Sequence, residues 1–101
     1  MTDAVEWFRG QSAGAPAALR DRAERYLERQ PPGAARAAVI AAAAREALAA
    51  TLAHPGDRAV ALDLLAADAL VTLALKASAI EDPDGLGRFA RELTSLGSGV
   101  R

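Results

Sequence analysis

Few of the residue types that carry chemistry occur in this chain, and fewer still in a useful pattern. There is one histidine and no cysteine, so thiolate nucleophiles, disulfides and cysteine metal sites are all ruled out. His54 stands in the run His54-Pro55-Gly56-Asp57, where Pro and Gly are helix stop signals. An imidazole in the last turn of a helix sits against the negative end of its dipole, so the setting predicts a capping role. A metal site would need two or three further ligands, and only carboxylates are on offer to join the one imidazole. Ser12, Ser78, Ser95 and Ser98 fall in loops, near helix ends or in the tail, which gives His54 no nucleophile to activate. No glycine-rich phosphate loop follows a strand. The sequence therefore predicts no catalytic residue, cofactor or metal, and a role other than that of an enzyme.

The carboxylate that stands out is Asp68. It lies in the middle of the most apolar segment, one turn before Thr72 and close to Leu64, Leu65 and Leu75. Buried there, it would need a partner. Arg36 or Arg45 from a neighbouring helix would serve, as would Lys76 two turns along; a place on a solvated arc is the other structural solution. The functional alternative is a ligand contact by Asp68 and Thr72, because perturbed carboxylates gather at sites. Asp63 reads as flank solvation.

These residues have to be positioned by helices, since no stretch reads as a strand. Residues 57–80 form the central one. One stripe at helical spacing collects Leu62, Ala66, Ala69, Leu70, Leu73, Ala77 and Ile80, and a second collects Val60, Leu64, Ala67, Val71 and Leu75. A surface helix needs one apolar stripe, so two predict enclosure by a bundle, or by a bundle and a partner. Asp57, Arg58, Asp68, Thr72 and Lys76 share the remaining arc. Before it, Pro31, Pro32 and Gly33 end an amphipathic helix over 17–29, and an alanine-rich helix covers 34 to about 53. A short N-terminal helix presents Val5, Trp7 and Phe8 and stops near Gly10, with Thr2 or Asp3 as cap and Glu6 completing a capping box; Trp7 and Phe8 plug one end of the bundle or, alternatively, anchor a partner chain. Asp82 followed by Pro83 starts the last helix, which carries Leu86, Phe89, Ala90, Leu93 and Leu96 and ends at Gly97. The expected fold is an all-α bundle of about four helices plus the N-terminal one. It forms a single domain over 1–101, with 1–14 as an N-terminal segment and 98–101 as a frayed tail.

Composition limits the partners. Twelve basic residues against thirteen acidic ones give a net charge of −1, so no field draws in nucleic acid or an anionic membrane. No charge-free run approaches the roughly 18 residues of a membrane span, and Thr2 and Asp3 stand where a secretory signal would need cations. A cytoplasmic protein is expected. Of 101 residues 27 are alanine and only four are aromatic, so the core is built from side chains that each bury little area. Association would supply the missing burial. The candidate interface is Val60, Leu64, Val71 and Leu75 with Trp7 and Phe8, and the expected state is a homodimer.

Leu65-Ala66-Ala67-Asp68-Ala69-Leu70, followed by Val71-Thr72-Leu73-Ala74, resembles the Leu-Ala-Gly-Asp-Ala-Leu segment of polyprenyl (isoprenoid) diphosphate synthases, with Ala67 in place of Gly. The likeness extends over residues 34–96 as a succession of helices and implies similar helix packing. That family's activity needs two aspartate-rich motifs to hold magnesium against a diphosphate. Neither is present, and no acidic residue lies between Glu46 and Asp57, so catalysis does not follow from the resemblance. Two functions are expected from these features: a non-catalytic module that associates with itself, and alternatively a binder of small apolar, isoprenoid-like ligands with Asp68 and Thr72 near the ligand.

Overall fold

The computed structural model describes residues 4–98, with side chains to residue 93. Five α-helices follow one another: α1 Ala4–Gln11, α2 Ala17–Glu28, α3 Arg36–Ala53, α4 Val60–Glu81 and α5 Leu86–Ser98, with a 3-10 turn at Pro83–Gly85 before α5. No strand occurs among the described residues, and the all-α bundle is as expected. The capping box at Thr2 and Asp3 lies outside the described residues.

Its frame is the antiparallel hairpin of α3 and α4. Ala37, Ile40, Ala41, Ala44 and Ala47 on α3 are buried, as are Ala66, Ala67, Leu70, Ala74 and Ala77 on α4. Steps of three and four residues put each set on one side of its helix, and side chains this small let the two backbones approach closely. Among the buried side chains only Phe8, Ile40 and Leu70 are both large and wholly enclosed. Helix α2 contacts both members of the hairpin and contributes Ala23, Tyr26 and Leu27 to the core, while α1 adds Ala4 and Phe8. Helix α5 packs chiefly on α4, with Leu93 buried and Phe89 half-buried.

Two expectations about faces need correction. The buried stripe of α4 is Asp63, Ala66, Ala67, Leu70, Ala74, Ala77 and Ser78, which runs between the two stripes read from the sequence. Hydropathy favours the leucines, but close packing selects the alanines as the contact line. The larger side chains are pushed to its shoulders, so Val60, Leu62, Val71, Leu73 and Leu75 are half-buried, and Leu64 and Ile80 stay 51% and 61% exposed. The second correction is to the interface alternative for Phe8, which is 1% exposed and so fills the core, the packing role its size also predicts.

The helix ends follow local chemistry, with small shifts. Helix α4 begins three residues later than expected, because Asp57 closes a turn: its carboxylate accepts the Ala59 N–H at 3.0 Å. Gly56 in that turn has φ +87°, a left-handed conformation that glycine adopts without strain. Asp82 caps as expected, accepting the Gly85 N–H at 3.2 Å, with Pro83 first in the 3-10 turn.

Candidate functional site

Among the described residues the buried carboxylate is Asp63, not Asp68. Asp63 is 7% exposed, and its Oδ1 accepts the Tyr26 hydroxyl at 2.8 Å and Arg22 Nη1 at 3.0 Å. Burial raises the pKa of the Tyr26 phenol, and the hydrogen bond to Asp63 and its charge raise it further. The phenol is thereby held as a neutral donor. Arg22 and Tyr26 stand at i and i+4 on α2, so a single turn presents both donors to one carboxylate on α4. The result is a clamp between α2 and the hairpin, with a charge buried only because it is paired. The signal was present in the sequence, since Asp63 shares the phase of Ala66, Leu70 and Ala77 at i+3, i+7 and i+14.

Asp68 and Thr72 are both exposed. Thr72 Oγ1 donates to the Asp68 carbonyl at 2.9 Å within the same helix, leaving the Asp68 carboxylate itself in water. Two of its expected partners are engaged elsewhere. Lys76 Nζ donates to Gln11 Oε1 at 2.6 Å, and Arg36 Nη1 lies 3.5 Å from Glu81 Oε2. Arg45 is exposed and makes no ion pair among the described residues. His54 is the exposed C-cap residue of α3, where its carbonyl accepts the Asp57 N–H at 3.3 Å. Among the described residues no group of three or more His, Cys, Asp or Glu side chains is placed to hold a metal ion.

A cavity of about 610 Å³ opens at the end of the hairpin where α3 starts and α4 stops, lined by Ala4, Val5, Leu27, Pro31, Arg36 and Val39 among others. Asp68 and Thr72 do not border it. The Arg36 guanidinium lies over the Trp7 ring, 5.3 Å from its centre, and pairs with Glu81. Its Nε is buried with no hydrogen-bond partner among the described residues. Trp7, offered by the sequence as an interface anchor, is half-buried beneath this cation.

The opposite end of the hairpin carries exposed leucines. Leu52 near the end of α3 is 52% exposed, and Leu64 in the second turn of α4 is 51% exposed. Seven-residue steps along the seam run Ala37 to Ala44 on α3, and Asp63 to Leu70 to Ala77 on α4. In an antiparallel pair, residues one position past the seam on both helices emerge on the same side. That side therefore holds Arg45 and Leu52 from α3 with Leu64 and Val71 from α4. Counted from the Arg36–Glu81 pair, Leu52 comes level with residue 65, in the same turn as Leu64. Leu48 and Val60, half-buried, adjoin them one turn along each helix. Leu65, 54% exposed, follows Leu64 by about 100° and faces away from this patch. No helix among the described residues is long and apolar enough to cross a membrane.

No protein-family model, curated protein or solved structure matches this chain.

Proposed function

We propose that the chain is a cytoplasmic, non-catalytic interaction module that associates with a second copy of itself through the open face at the turn end of the α3–α4 hairpin. The observation that carries this reading is the pair Leu52 and Leu64, both half-exposed at the turn end of the hairpin on a chain whose own core is mostly alanine. Enclosing a leucine that is half in water is worth about 1 kcal/mol or more, and an isologous contact gains each such term twice. Of the candidate interface residues read from the sequence, Leu64 is the exposed one; Val60, Val71 and Leu75 serve as half-buried shoulders. Sedimentation equilibrium tests the proposal. A dimer at micromolar concentration that Leu64→Lys converts to monomer is the expected result, and a parent chain still monomeric at millimolar concentration refutes it.

The cavity at the other end of the hairpin favours a second reading, as a binder of small apolar molecules. Its volume lies in the range of ligand pockets, and most of its lining is apolar. The site of such a ligand is the Arg36 end of the bundle, in place of the Asp68–Thr72 surface. Thermal shifts with a panel of apolar compounds test it. A shift lost in Val39→Trp, which fills the cavity, supports this reading, and the absence of any shift across the panel removes it.

A further inference from the structure

Resting on the self-association proposed above, we infer how the second copy sits. The two-fold axis runs parallel to the α3–α4 hairpin, so that α3 of each copy lies against α4 of the other and Arg45 of each faces the partner's Asp68.

Three observations lead there. Arg45 and Asp68 are both exposed, and neither side chain takes part in an ion pair or hydrogen bond among the described residues, whereas Arg22 and Arg36 are both paired within the chain. The two stand on the face that carries the leucines. Arg45 is one position past the seam residue Ala44, and Asp68 follows Leu64 by one turn. Their levels also agree. With Arg36 opposite Glu81, Leu52 comes level with residue 65 and Arg45 with residue 72, so Leu52 lies in the same turn as Leu64 and Arg45 within one turn of Asp68. An axis parallel to the hairpin keeps every level unchanged while exchanging α3 for α4. It therefore sets Leu52 against the partner's Leu64 and Arg45 near the partner's Asp68 in a single operation. The four helices alternate in direction around the contact, as in an antiparallel four-helix bundle.

An axis lying in the contact plane but perpendicular to the hairpin reverses the direction of the partner instead, and sets α3 on the partner's α3 and α4 on the partner's α4. Leu52 then meets the partner's Leu52, and Arg45, seven residues or about 10 Å from Leu52, is carried about as far past the end of the partner's α3 and away from the partner's Asp68.

Charge reversal followed by sedimentation equilibrium at low salt distinguishes these arrangements. Arg45→Asp and Asp68→Arg each create two like-charge contacts per dimer, and each is expected to weaken the dimer roughly tenfold or more. The doubly exchanged chain, Arg45→Asp with Asp68→Arg, is expected to regain the parent affinity to within about threefold, since the reciprocal pairs are restored. Both positions are exposed, so urea unfolding of the dilute variants should match the parent and exclude misfolding as the cause. A monomeric parent chain overturns the self-association and this arrangement together. A dimeric parent whose affinity ignores the single reversals overturns the arrangement alone. So does a doubly exchanged chain whose dimer stays as weak as those of the single variants.

Discussion

The two grooves of the α3–α4 hairpin have opposite fates. One is filled by α2 and closed by a carboxylate with two donors; the other, at the turn end, keeps two leucines and a carboxylate in water. Asp63 and Asp68 lie five residues apart on one helix, which rotates them by about 140°. That angle separates a buried ion pair from a solvated charge. Their sequence neighbourhoods are nearly alike, rich in Ala and Leu. What differs is the supply of donors, because Arg22 and Tyr26 on a distant helix reach Asp63 and no side chain among the described residues reaches the Asp68 carboxylate. A carboxylate's role in such a helix is decided by its phase relative to the helix that covers it.

The sharpest way to break this contrast is to remove each carboxylate in turn. Asp63→Ala leaves the Tyr26 hydroxyl and one arm of Arg22 without an acceptor in a buried place. The expected cost is about 2–3 kcal/mol, toward the lower side for a broken buried pair because the Arg22 side chain keeps 29% of its exposure. Asp68→Ala is expected to change stability by less than about 0.5 kcal/mol. Urea unfolding followed by circular dichroism measures both, and equal midpoints for the two variants would erase the distinction.

Next in size is the seam itself. Ala44 is fully buried between the hairpin helices, so Ala44→Leu forces apart backbones whose distance is set by methyl groups. A loss of about 2 kcal/mol is expected. Ala49→Leu, at an exposed position of the same helix, is expected to be nearly neutral. If Ala44→Leu proved neutral as well, the seam would be looser than its burial implies.

Much of this architecture was legible in the sequence, and the misreadings share a cause. Pro31-Pro32-Gly33, His54-Pro55-Gly56 and Asp82-Pro83 mark helix ends through local backbone chemistry, so the boundaries came within a few residues. The facing of α4 was not legible from hydropathy, because leucine outweighs alanine on any such scale while close helix packing prefers alanine. Trp7 and Phe8 are adjacent aromatics of similar promise, yet only Phe8 turns wholly into the core. Asp63 reads as flank solvation when judged by its charge alone, although its phase matches the buried line. The cavity at Arg36 had no sequence signal at all, being formed where α1, α2, α3 and α4 come together from separate parts of the chain.

The closed groove also carries a pH signature. Tyr26→Phe removes one of the two donors to Asp63 and is expected to cost about 1 kcal/mol at neutral pH. In the folded chain the Tyr26 pKa is raised above its ordinary value of 10.0, so the neutral phenol is favoured by folding. Its contribution is fully present below pH 10 and is lost as the pH climbs through the raised value. The stability gap between the parent and Tyr26→Phe should therefore hold constant from neutral pH to about 9 and narrow above 10. A gap that widened with alkalinity would mean that the tyrosinate, and not the phenol, is the form the fold prefers.

The smallest expected effect belongs to the open groove, and its smallness is what makes it informative. Leu64→Gln removes apolar surface that the monomer leaves half in water, so the dilute, unassociated chain should lose less than about 0.5 kcal/mol. Association stabilises by mass action, which makes the melting temperature of the parent chain rise with protein concentration. In Leu64→Gln that rise should flatten, with the dilute melting temperature hardly altered. Asp63→Ala should do the reverse, lowering the whole curve and leaving its slope intact, because its contacts lie within one copy. Melting temperatures over a hundredfold range of concentration therefore separate the two grooves by slope and intercept. If both variants lowered the intercept alike, Leu64 would belong to the chain's own core and the open face would lose its purpose.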